Sequence, residues 1–465
     1  VLYKRLFVGY KDRVTSGPVD VESRIAAEVV DLSPAGIAKA IGALVSSDVL
    51  TAGSRLPTVR ALATRLGVSA STVADAWRIL QNRGVITTDR RRGTTVRGSR
   101  QPPAGRYWQV PVEPGTLELD LSTGTPDKDL LPPLGSVLHD LHADVGITSY
   151  MDPPLLDQLE DELRQRWPFA AEALTVVDGA LDALDRAVQE LVSVGDVVVV
   201  EDPTFPPLID MLELAGADIV GAAVDGNGVS PDAIADAMAR EPVALFIQPR
   251  AHNPTGAHLT AARARAIGDL VAGTNTVVVE DDHSGSASGA PIESVGEVVA
   301  PQVLHIRSFS KSQGPDLRIA AMGGPHELIN DIVRRRRLGP SWTSRLIQQI
   351  LHAMLTDDHT EALVAEAAAT YQARRAELGG RLEGLGVEVG PGVGLNMWIR
   401  VDDEQRAVVA LAAHGIGVAP GAPFRVDDSN HQHIRVSLGA LRGDLDRLAT
   451  TIAAAASTPP ATTGL

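Results

Sequence analysis

Apolar positions near the start of the chain recur at helical spacing, whereas farther on they gather in short continuous runs. From Pro34 onward, Ile37, Ile41, Leu44 and Val45 fall three or four apart, as one buried helix face requires. Gly53 and Pro57 punctuate the chain, and Thr58 is placed to cap a second helix through Leu66 that turns Leu62 and Leu66 inward. A Gly67-Val68 turn follows, and Ser69 opens a third helix to about Leu80 with Val73, Ala76 and Leu80 facing in. Helix, tight glycine turn and helix form the helix-turn-helix pattern. Residues 85–88 and 93–96 then predict two short strands around the turn Asp89-Arg90-Arg91-Arg92.

The later runs lie at 197–200, 243–247, 276–279, 303–306 and 319–322. They are rich in β-branched residues and do not alternate, which is how strands buried on both faces read, and the lengths between them suit helical crossovers. An α/β sheet of mainly parallel strands flanked by helices is expected. Between the two regions, residues 98–115 hold Pro102, Pro103, Pro111 and Pro114 with Gly98, Gly105 and Gly115 and show no periodicity, which reads as a tether. The expected division is an N-terminal extension without assigned function (1–33), an α+β winged helix-turn-helix (34–97), a linker (98–116), a large α/β module with a small C-terminal domain (117–458) and a tail (459–465).

Charge sharpens this division. The whole chain carries −16, but residues 34–100 hold 11 Lys and Arg against Asp48, Asp75 and Asp89, a balance of +8. A basic head on an acidic body suggests division of labour, although a solvated basic surface also has this composition. In the head, Ser69, Ser71 and Thr72 at the start of the third helix would face a DNA groove. Arg60, Arg90, Arg91, Arg92 and the wing residue Gly93 would lie along phosphates. Cysteine is absent, which excludes disulfides, thiolate metal sites and a cysteine nucleophile. No apolar run approaches the roughly 20 residues that span a bilayer, and no signal-peptide pattern opens the sequence. A cytoplasmic protein without membrane contact is expected.

The chemistry of the body lies just beyond its strands, where ligands of such sheets sit. The runs lead into Glu201-Asp202-Pro203-Thr204-Phe205, Asn253-Pro254-Thr255-Gly256, Asp281-Asp282-His283 and Ser308-Phe309-Ser310-Lys311, with Arg318 downstream. Taken singly these are ordinary: a turn, a surface lysine, a carboxylate pair that could be taken for a metal site. Successive residues at a strand end point apart, however, so no metal is expected. Together they supply an aromatic face, an amide, a carboxylate, a lysine and an arginine, the inventory for an aldehyde cofactor with a ring nitrogen and a phosphate.

In this order the motifs "NPTG", "EDD", "SFSK" with its downstream Arg, and "RVSLG" resemble those of fold-type I pyridoxal phosphate aminotransferases. Residues 56–94 resemble the winged helix of GntR-type regulators. Joined, the chain resembles the MocR class of GntR regulators. The resemblance implies that Lys311 carries pyridoxal 5'-phosphate as a Schiff base, that Asp281 pairs with its ring nitrogen, and that Asn253 meets its ring hydroxyl. It further implies that Phe205 stacks on the ring, that Gly179, Ala180, Ser308, Ser310 and Arg318 hold the phosphate, and that Arg435 takes the carboxylate of a substrate or effector. His283 stands where the family has a tyrosine, Asp178 where it has Ser or Thr, and Asn396 where it often has His. These departures favour cofactor binding over efficient transamination. The expected function is a DNA-binding regulator, a head-to-tail homodimer on operator DNA, responsive to pyridoxal phosphate or an amino-compound effector. The alternative is a working aminotransferase with a vestigial or assembly-related head.

Overall fold

A computed structural model describes residues 21–46, 49–50, 53–82, 86–89, 93–96, 105–106, 117–140, 149–426 and 432–457. The chain divides into two compact units, Val1–Pro102 and Pro103–Leu465.

In the first unit, helices Pro34–Ser46, Val59–Leu66 and Ala70–Asn82 precede an antiparallel hairpin of Ile86–Asp89 and Gly93–Val96, with Ile86 opposite Val96. Local chemistry sets these boundaries. The Thr58 hydroxyl accepts the Ala61 N–H at 3.2 Å, and Gly67 ends the helix at φ 70, a left-handed conformation that a Cβ disfavours. The Ser69 hydroxyl accepts the Thr72 N–H at 3.1 Å at the start of the third helix. Ile37, Ile41, Leu62, Val73, Ala76, Trp77 and Leu80 form the core with Ile86 and Val96 from the hairpin. Backbone bonds from Gly53 to Val96 and from Leu56 to Thr94, both 2.9 Å, tie the hairpin to the segment before the second helix. Part of the N-terminal extension is helical: Val21–Glu28 adds Ile25 to the same core, so structure in this unit starts ahead of the expected boundary at residue 34. Its single buried side chain leaves no periodic signal.

The second unit is built on an eight-stranded sheet. In spatial order its strands are Ala173–Val177, Ala320–Gly324, Val303–Ser308, Val277–Asp282, Ala244–Ile247, Val197–Asp202, Asp218–Asp225 and Gly228–Val229. The five from Val303–Ser308 to Asp218–Asp225 run parallel, so their carboxyl ends share one rim. Ala320–Gly324 runs antiparallel between Val303–Ser308 and Ala173–Val177. Every run read as a strand from the sequence is one, and the edge pair Asp218–Asp225 and Gly228–Val229 and the strand Ala173–Val177 are additional. Helices Ala180–Leu191 and Pro206–Ala215 supply Leu184, Val188, Leu208 and Leu212 to a core with Val198, Val200 and Phe246 of the sheet.

A smaller C-terminal sheet of Asn396–Arg400, His433–Ser437 and Ala419–Pro420 is antiparallel and packs with helices Glu404–Ala413 and Leu445–Ala456. The segment that opens the second unit joins it: Leu119–Asp120 pairs in parallel with Ile416–Gly417, which carries residues 122–124 toward the rim. Within the span expected to be a free tether, Arg106 is docked. Its backbone N–H donates to Asp210 at 2.9 Å, and its guanidinium pairs with both Asp210 and Glu213. Among the described residues, no helix is long and apolar enough to cross a membrane.

Candidate functional site

The shared rim brings together the residues that follow four parallel strands. Asp281, the fifth residue of Val277–Asp282, is buried, and its Oδ2 accepts the Gln248 side-chain N–H at 2.8 Å. Its Oδ1 is buried with no hydrogen-bond partner. Burial is the main cause that raises this carboxyl to about 7, with Asp282 adding repulsion. Asp282 turns the other way into a bidentate pair with Arg250, both contacts 2.7 Å, which holds it at about 2 against its burial. The two adjacent carboxylates therefore do not converge. Among the described residues, no group of three or more His, Cys, Asp or Glu is arranged to hold a metal ion.

His283 does not offer the site the donor that a tyrosine phenol would. Burial lowers it to about 4, so the ring is neutral, and its Nε2 donates to the Ala251 carbonyl at 2.8 Å. Its one ring proton is thereby committed to the backbone. Nδ1, 3.5 Å from the Ser284 hydroxyl, is left as an acceptor, the reverse of a tyrosine phenol.

Lys311 lies beyond Val303–Ser308 with its amine donating to the Gly124 carbonyl. Burial and, secondarily, Arg435 lower it to about 8, which raises the nucleophilic free amine from a trace to about a tenth near neutral pH. Arg435 is fully buried over the Phe424 ring, 5.1 Å from its centroid. It donates to Asn253 Oδ1 at 3.1 Å and to the Ser122 carbonyl. Asn396 also donates to Asn253 Oδ1, at 3.3 Å, and its own Oδ1 is buried without a partner. Phe205, Thr204, Leu208, Gln248 and Asp281 line one crevice.

At the far side of the rim, Gly179 adopts φ 101 as it opens helix Ala180–Leu191, which has no side-chain cap. A Cβ there would lie 3.6 Å from the Arg318 guanidinium carbon. A helix N-terminus beside an arginine could hold an anion; the Ser308 and Ser310 hydroxyls, 3.0 Å apart, stand at the end of Val303–Ser308 on the same sheet. Asp178 does not oppose an anion there. Its carboxylate turns away, accepting Arg336 at 2.9 Å and the Thr343 hydroxyl at 2.7 Å. The run Arg334–Arg337, which reads as a solvated face or an intersubunit contact, is thus split: Arg336 is buried and paired while its neighbours are exposed.

In the first unit, Arg60, Ser69 and Ser71 are exposed and Thr72 half-buried. The Ser69 hydroxyl lies 2.7 Å from that of Ser71 and 2.8 Å from that of Thr72, one polar cluster at the start of the third helix. Gly93 begins the second wing strand at φ 80. Arg90, Arg91 and Arg92 lie outside the described residues. Sequence reasoning missed Ser122, Gly124, Gln248 and Phe424 in the ligand site. Two of these act through backbone carbonyls, which no side-chain motif announces.

Residues 35–96 match the bacterial regulatory proteins of the gntR family, and residues 117–452 match aminotransferase class I and II. The chain is 34% identical over 410 residues to the vitamin B6 salvage pathway transcriptional repressor PtsJ of Salmonella typhimurium, covering 87% of this chain and 94% of that protein. It is 28% identical to the transcriptional regulator TauR of Rhodobacter capsulatus, over 80% of this chain and 85% of the relative. Among solved structures, the α-aminoadipate aminotransferase LysN of Thermus thermophilus, complexed with a phosphopyridoxyl-leucine adduct, superposes with a TM-score of 0.68 at 20% identity, over 76% of this chain and 95% of that one. The cofactor of this fold is pyridoxal 5'-phosphate, and a buried carboxylate oxygen without a donor, a lysine shifted toward neutrality and a helix N-terminus beside an arginine are what that group requires. With a gntR-family winged helix at one end and a class I and II aminotransferase domain filling the rest, the chain belongs to the MocR class of GntR-type transcription regulators.

Proposed function

We propose that this regulator captures pyridoxal 5'-phosphate in its aminotransferase-like unit and alters its grip on operator DNA in response to that cofactor or to an amino compound that joins it. The observation that carries the reading is the unpartnered Asp281 Oδ1, a buried acceptor beside the Phe205 crevice and on the same rim as the Lys311 amine. The cofactor, when bound, supplies an electrophilic carbon for the lysine and a protonated ring nitrogen that offsets the charge of Asp281.

Lys311 is the attachment point, and its contact with the Gly124 carbonyl holds the amine before capture. Phe205 covers a ring face and Asn253 meets the ring hydroxyl. Gly179, Ala180, Ser308, Ser310 and Arg318 receive the phosphate. His283 contributes an acceptor at the edge of the site instead of a phenol. Arg435 takes an effector carboxylate, which would displace the Asn253 or Ser122 oxygen it now holds. The exposed hydroxyl cluster of Ser69, Ser71 and Thr72 faces DNA bases while Arg60 meets phosphate. The functional particle is a homodimer acting in the cytoplasm on repeated or palindromic half-sites.

The test is binding of the full chain to DNA upstream of its own gene, with and without pyridoxal phosphate, across a salt series. Affinity well above that for random DNA, and changed by the cofactor, supports the proposal. Specific binding that ignores the cofactor moves the effector role to an amino compound. Rapid exchange of amino groups between an amino acid and a keto acid, without operator binding, favours the enzyme.

A further inference from the structure

Gln248 is the first residue after strand Ala244–Ile247, whose pairing with Val197–Asp202 on one side and Val277–Asp282 on the other sets it between Glu201 and Asp281. Its backbone N–H and both ends of its side-chain amide are engaged in the interior. Its backbone N–H donates to Glu201 Oε2 at 2.7 Å, its side-chain Oε1 accepts the Asn253 backbone N–H at 2.7 Å, and its Nε2 donates to Asp281 Oδ2 at 2.8 Å. The orientation of the carboxamide is unambiguous, because a backbone N–H can only donate and so selects the oxygen, which turns the NH2 to the carboxylate. One neutral side chain therefore joins the two residues that the cofactor ring is to meet on different edges.

The chemical type matters as much as the placement. An arginine or lysine at this position would neutralise Asp281 and remove its need for a cation; a carboxylate would repel it. An amide satisfies one oxygen and leaves the other, Oδ1, buried and without a donor. Glu201 adds little competing charge, since its own burial pushes its carboxyl well above the usual range and it lies 3.3 Å from the neutral His252 ring.

We infer that Gln248 is a positioning and specificity-determining residue of the ligand site, one that aims a single Asp281 oxygen at the ring nitrogen and anchors Asn253 at the ring hydroxyl, so that the site selects a ligand with a protonated ring nitrogen. This rests on the pyridoxal phosphate reading above.

The experiment compares binding of pyridoxal phosphate with that of its analogue carrying carbon in place of the ring nitrogen, using the full chain and following ligand absorbance and tryptophan fluorescence. The wild type should prefer the nitrogen-bearing ligand. In Gln248→Leu that preference should shrink by roughly tenfold or more, the scale of one charge-assisted hydrogen bond. Gln248→Ala, which keeps the backbone bond to Glu201 and leaves room for water, should shrink it less, and serves alone if the leucine variant fails to fold. A purely structural role would weaken both ligands together and leave the ratio unchanged, which overturns the inference. A wild type that binds neither ligand overturns the parent reading and this inference with it. A wild type that binds both equally overturns this inference alone.

Discussion

In the winged-helix unit the polar groups that matter stand outside an apolar core; in the aminotransferase unit they stand inside. Ser69, Ser71 and Arg60 are exposed and satisfied by one another or by solvent. Asp281, Gln248, Asn253 and Arg435 are all buried, and each is held by a named partner. A surface that must meet many phosphates gains little from rigid pairing, because its energy comes from released counterions. A pocket that must distinguish one small molecule gains from groups fixed in advance at low dielectric. Single substitutions should therefore behave differently in the two regions.

The largest contrast comes from Lys311→Ala. It should abolish the visible absorbance that appears on mixing with pyridoxal phosphate, while cofactor-free DNA binding stays at the wild-type level; an unchanged chromophore would remove Lys311 from its role. In the wild type, the rate of capture should rise with pH through about 8 and then level, since only the unprotonated amine reacts. A rate still climbing steadily at pH 10 would contradict the lowered lysine. Next in size is Leu62→Ala in the fully buried core of the head. A loss of about 2–5 kcal/mol is expected for the cavity and lost burial. Calorimetry should show one transition moving down while cofactor capture is retained, and a shift of both transitions would mean that the units do not unfold independently. Smallest is Arg60→Ala. Affinity should fall a few-fold and alike for operator and random DNA, with the salt slope reduced by about one. A loss confined to the operator would make Arg60 a reader of bases.

What was legible in the sequence follows the range of the interactions. Helix Val59–Leu66 announces itself because its cap, its inward leucines and its terminal glycine lie within ten residues. The central strands do so because burial on both faces demands a continuous apolar run. Asp218–Asp225 escapes because it is half-buried at one side of the sheet and carries a glycine, and the bounds of helix Val21–Glu28 do because one isoleucine makes no pattern. At the candidate site, the sequence singles out the motif residues on the rim but not the residues that connect them. Asn253 and Arg435 meet across 182 positions, and nothing local to either predicts it. Arg336 is the instructive case. Ile329, Ile332 and Arg336 are all buried at spacings of three and four, so periodicity could have singled it out from its arginine neighbours. Charge alone argued for the surface.

The pairing of Asp178 with Arg336 also constrains how this protein can change over evolutionary time. Removing the arginine leaves a half-exposed carboxylate that still accepts the Thr343 hydroxyl. Removing the carboxylate strands a guanidinium in the interior. The cost therefore falls on one side: an acid at 178 is expected wherever an arginine is kept at 336, 158 residues away, whereas the acid can outlast the arginine.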